Sequence, residues 1–140
     1  MTEVKTIDID GVQWSIKDQT ARDKITTLET EITNLKTVEK WETTVQNYGG
    51  KIIARRQGSV INIVAIGIGQ ENKIKSDAGG IDLAILPEKF KPKEEHFFMM
   101  RLSGSYQTNI GGTIRSNGSI NIWAYAEIDF GCFSLSYIVD

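Results

Sequence analysis

Apolar residues change their repeat after residue 38 of this chain, and that change limits what it can fold into. Ala21, Ile25, Leu28, Ile32 and Leu35 recur at spacings of 4, 3, 4 and 3, a heptad stripe. From Trp41 onward the repeat is two. Trp41, Thr43 and Val45 alternate with Glu42, Thr44 and Gln46, and Phe133, Leu135, Tyr137 and Val139 alternate with Ser134 and Ser136. One helix followed by a β region is the reading, with no βαβ alternation to suggest a parallel sheet.

The N-terminal segment 1–17 reads as a short strand or extended arm. Ile7 and Ile9 alternate with polar residues, and Asp10-Gly11 signals a turn. The sequence MTEVKTIDIDG has neither the basic start nor the apolar core of a signal peptide. The helix spans 18–38, with Ser15 and Asp18 spaced as a capping pair. Thr26, Thr27, Thr30 and Thr33 weaken it, so its stripe needs a partner. That partner is either the chain's own head or the same helix in other copies. A coiled coil through Ala21, Ile25, Leu28, Ile32 and Leu35 is the expected oligomerisation element.

Residues 39–140 form the expected head. Seven or eight short strands are separated by glycine-rich turns, and Asn117-Gly118 is the strongest hairpin signal. The expected fold class is mainly β, with a short coiled-coil helix leading into an antiparallel β-sandwich or barrel. Gly49–Ala65 and Gly111–Ala124 echo each other as Gly-Gly, strand, turn, strand, as two similar hairpins would, one per sheet. The runs Val60–Ile68 and Phe97-Phe98-Met99-Met100 carry apolar groups on both faces. A lone sandwich would leave these exposed, which favours a homo-oligomer.

Composition narrows the chemistry. Sixteen basic and 18 acidic residues leave a charge of -2, which argues against nucleic-acid binding by bulk electrostatics. No stretch approaches the ~20 apolar residues of a membrane span, so no insertion is expected. Cys132 is the only cysteine and His96 the only histidine. No metal site, GxSxG elbow or phosphate-binding loop is readable, so neither a cofactor nor an enzyme is expected.

Saccharide binding needs less machinery: an aromatic ring for the apolar face of a sugar, and planar polar groups for its hydroxyls. With Ile120, Ile122, Ala124 and Ala126 toward the core, Asn121, Trp123, Tyr125 and Glu127 line the opposite face. Arg101 and Asn109 are further polar candidates. The competing reading packs Trp123 and Tyr125 at a subunit interface, where such rings are also enriched.

Three stretches carry a family likeness: YGGKIIARRQGSVINIVAIGIG, the connector LPEKFKPKEEHFFM, and NIGGTIRSNGSINIWAYA. Together they resemble the head of receptor-binding proteins of siphophages that infect lactococci and related cocci. DIDGVQWSIKDQTARDKITTLETEI similarly resembles the start of Gram-positive phage tail and fibre proteins. The resemblance implies a homotrimer in the virion, at a tail tip, baseplate or fibre, assembled in the host cytoplasm. It implies docking to another tail protein through the N-terminus, and non-catalytic binding of host cell-wall or capsular polysaccharide. Several weak sites on one particle would supply avidity. Relatives carry a His-x-Asp ahead of the hairpin turn. Here that region reads Gly111-Gly112-Thr113, so those two groups do not carry over. The alternatives are a structural tail or capsid-decoration protein and a small non-viral lectin-like module.

Overall fold

The computed structural model describes residues 5–9, 12–16, 19–75, 77–102, 110–124 and 127–139. The chain divides into two compact units, Met1–Thr37 and Val38–Asp140.

The first unit holds an antiparallel hairpin, β1 (Lys5–Ile9) and β2 (Val12–Ile16), with Ile7 opposite Trp14, followed by helix α1 (Gln19–Lys36). Ser15 sits in β2 opposite Thr6, and its side chain, like Asp10, Gly11 and Asp18, lies outside what is described, so the capping pair is not tested. The threonines are accommodated by donating back to carbonyls four residues earlier. Thr27 Oγ1 reaches Asp23 O at 3.0 Å and Thr33 Oγ1 reaches Glu29 O at 2.8 Å. The coiled-coil expectation is corrected here. The described residues contain one α-helix, on which Ala21 and Ile25 are half-buried and Leu28, Ile32 and Leu35 are exposed. A heptad stripe states which residues share a face, and the structure gives that face no second helix.

The second unit is a single antiparallel sheet of eight strands. In chain order these are β3 (Val38–Thr44), β4 (Lys51–Gln57), β5 (Val60–Ile68), β6 (Asp77–Ile85), β7 (His96–Leu102), β8 (Ile110–Ile114), β9 (Ser119–Ala124) and β10 (Gly131–Ile138). Their spatial order is β3-β4-β5-β10-β7-β8-β9-β6. The expected sandwich is therefore corrected to one sheet curled into a half-barrel. Its two halves join at a narrow seam, where Gly131 pairs with Leu102 and Cys132 with Arg101. Gly131 is what allows that approach, because a Cβ there would fall 2.4 Å from Met100 Sδ. Alternation and turn spacing are the same for a sandwich and a curled sheet. The difference lies in this long-range pairing, which no local pattern encodes.

The concave face holds the core. Ile52, Ala54, Ile61, Ile63 and Ala65 come from one half, and Met100, Ile110, Ile114, Ile120 and Ile122 from the other. The stacked rings of Phe98 and Phe133, 3.9 Å apart, bridge them. Gly112 makes room for Phe98, since a Cβ there would meet its Cζ at 2.3 Å. The two echoing hairpins are β4–β5 and β8–β9, and both lie in the same sheet. In this chain the two runs with apolar groups on both faces are buried on one face only. Phe98 and Met100 are buried, while Phe97 and Met99 stand 69% and 61% exposed. Cys132 is half-exposed on the convex side, with Sγ 3.5 Å from Arg101 O.

Candidate functional site

Register alone assembles a polar and aromatic patch on the convex face. Phe97 of β7 lies opposite Thr113 of β8, Thr113 opposite Asn121 of β9, and Asn121 opposite Asp82 of β6. In the adjacent row Met99 lies opposite Gly111, and Gly111 opposite Trp123. Because Gly111 has no side chain, the indole extends over it, with Cε3 3.8 Å from where a Cβ would stand. The Trp123 and Phe97 rings come within 6.5 Å at 32°. They form an aromatic ledge with one half-buried and one exposed member.

The polar row beside that ledge is unevenly satisfied. Asn121 Nδ2 donates to Asp82 Oδ1 at 3.0 Å, and Ser119 Oγ donates to the same oxygen at 3.2 Å. The carboxylate fixes the amide's orientation, since the reverse would set oxygen against oxygen. Asn121 Oδ1 is thereby turned away. It and Thr113 Oγ1 are buried with no hydrogen-bond partner among the described residues. Asn121 is 5% exposed and Thr113 fully buried. Buried polar groups are normally paired, and each orphan costs about 1–3 kcal/mol. A Cβ on Gly80 would come 2.8 Å from Asn121 Oδ1 and 3.2 Å from Trp123 Nε1, so only glycine fits against both.

Ile120, Ile122 and Ala124 do face the core, opposite Asn121 and Trp123. Tyr125 and Asn109 lie outside the described residues. Glu127 lies beyond β9, exposed, with its carboxylate 2.8 Å from Lys73 Nζ; that hydrogen bond and charge hold the Lys73 ammonium above its ordinary pKa. Arg101 is exposed on β7 and shares the alternation of Phe97 and Met99. Sequence reading missed Asp82, Thr113 and Phe97. Asp82 had a signal, as the one acid within the apolar run Ile81–Leu86.

A second feature adjoins this patch. The curl brings the free edges of β3 and β6 to opposite sides of a groove of about 520 Å³. Trp41, Tyr48, Gln46 and Asn47 line one side, and Ile81–Ile85, including Asp82, the other.

The arrangement defines a small all-β head with an aromatic and amide-carboxylate surface. No family model matches the chain, and no curated protein matches it. The viral, tail-fibre and receptor-binding descriptions drawn from sequence likeness are accordingly set aside as identities.

Proposed function

We propose that the head is a non-catalytic attachment module that holds a cell-surface saccharide on the convex face of β7, β8, β9 and β6. One observation carries this reading: the Trp123–Phe97 ledge, with Phe97 69% exposed, stands on the same face as the Asp82–Asn121 pair. An aromatic face beside directional polar groups is what a sugar ring with its hydroxyls requires. Asp82 adds an exposed carboxylate to the same row. The test is binding to an array of bacterial surface glycans, with Trp123→Ala as control. Retention that drops at least tenfold in the variant supports the reading, and no retention of any glycan rejects it.

The high exposure of Phe97 and Met99 favours a second reading, in which this face packs against another protein chain. Phe97→Ser with Met99→Ser separates the two. A structural role predicts loss of assembly at unchanged glycan retention.

A further inference from the structure

We propose that the groove between β3 and β6 is a second saccharide subsite, continuous with the Trp123 ledge through Asp82, so that one uncharged or amine-bearing glycan chain spans both. This rests on the saccharide reading of the convex face and extends it.

Asp82 connects the two features. Its Oδ1 holds Asn121 and Ser119 on the ledge side, and the residue also lines the groove. The groove repeats the chemistry of the ledge with different residues. Trp41 and Tyr48 are half-buried rings packed against the core, and Gln46 and Asn47 are exposed amides. Its volume of about 520 Å³ falls within the ~300–1,000 Å³ of small-ligand sites. The backbone of Asn47 is held at φ 69°, a conformation asparagine tolerates, and Asn72 Nδ2 donates to its carbonyl at 2.7 Å. The amide thus sits on a fixed turn.

Two free sheet edges could instead take up a polypeptide strand, and the edges argue against it. The β6 ladder is interrupted between Asp82 and Ala84, and β3 carries the charged pair Lys40 and Glu42. Bulges and edge charges discourage strand addition. Ligand charge follows from the lining. Among the described residues, Asp82 is the one carboxylate lining the groove, and no lysine or arginine lines it. An anionic glycan is disfavoured, and a neutral or amino sugar fits.

The experiment follows the indole N–H resonances of Trp41 and Trp123 in the full chain by NMR. The probes are mono- to tetrasaccharides of glucose, N-acetylglucosamine and glucosamine, with oligogalacturonate as the anionic comparison. The expected result is that tetramers of at least one neutral or amino series move both indoles and bind at least tenfold tighter than dimers. Asn47→Gly, which keeps the turn conformation, should weaken tetramers severalfold and leave dimers unchanged. A shift at Trp123 with none at Trp41 overturns the subsite and leaves the convex-face reading standing. Silence at both indoles overturns both. Stronger binding of oligogalacturonate overturns the charge assignment. Slowed hydrogen exchange along β3 and β6 in a self-associated species would identify a strand as the occupant and overturn the proposal.

Discussion

Asn121 and Asp82 face each other across β9 and β6, with the amide donating to the carboxylate at 3.0 Å. This one contact decides which end of a buried amide stays without a partner. Replacing Asp82 with Ala should free the amide to turn, leaving the patch folded but its orientation undefined. Replacing Asn121 with Asp sets two carboxylates against each other at a nearly buried position. The variant should lose about 2 kcal/mol or more at neutral pH and recover part of it in acid, as one carboxyl protonates. Urea titrations at pH 7 and pH 4.5 measure this; equal losses at both would contradict it.

Thr113→Val tests whether the orphaned hydroxyl is kept for function. The substitution preserves shape and removes a buried polar group without a partner among the described residues. Stability should hold or rise by about 1 kcal/mol. A loss above 1 kcal/mol in urea would show that the hydroxyl is satisfied in solution.

Gly111 and Gly112 are neighbours with opposite requirements. A Cβ on Gly112 would enter the Phe98 ring, so Gly112→Ala should cost about 1–3 kcal/mol by overpacking. On Gly111 the same atom meets Trp123 at ordinary contact distance, so Gly111→Ala should be near neutral for folding. It should nonetheless alter Trp123 fluorescence by placing a methyl group against the indole. Paired thermal melts decide, and equal destabilisation would contradict the assignment of faces.

Tyr137 closes the core from β10. Its hydroxyl donates to the Phe90 carbonyl, its ring stacks on His96 at 5.0 Å, and burial pushes its pKa well above the ordinary 10.0. Since the folded state favours the protonated phenol, stability should be complete below pH 10 and decline as pH rises beyond it. Tyr137→Phe strands the carbonyl, should cost about 1–3 kcal/mol, and should remove that alkaline decline. An unchanged decline would place its origin elsewhere.

At the acid end, the hydrogen bond from Lys89 holds Glu39 below the ordinary 4.5, and Lys40, then Lys51, does the same for Glu42. Both carboxylates are surface groups, so their contribution is present above about pH 4.5 and fades as pH falls through their lowered values. Carbon-detected NMR titration should find both below the ordinary 4.5. Lys89→Ala should return Glu39 alone to the ordinary range.

The alternation of Ile120, Asn121, Ile122 and Trp123 was readable because side-chain direction in a strand follows sequence parity. The hairpin at Asn117-Gly118 was readable because its chemistry is local. Asn117 Oδ1 accepts from Ser119 N at 2.9 Å, and Gly118 takes φ 90°. Three things were not readable. The seam pairing Gly131 with Leu102 is a long-range contact. The alignment of Asp82 with Asn121 depends on β6 joining the sheet at its far edge, 39 residues from β9 along the chain. The heptad stripe specified a face on α1 and nothing about what meets it.

The most direct test of the central claim is an equilibrium titration of the full chain with the glycan best retained on the array, with the glycan recovered and weighed by mass spectrometry. The expected result is saturable binding, at least tenfold weaker in Trp123→Ala, and a glycan returned with its mass unchanged. Binding indifferent to Trp123, or a shortened glycan, would contradict it.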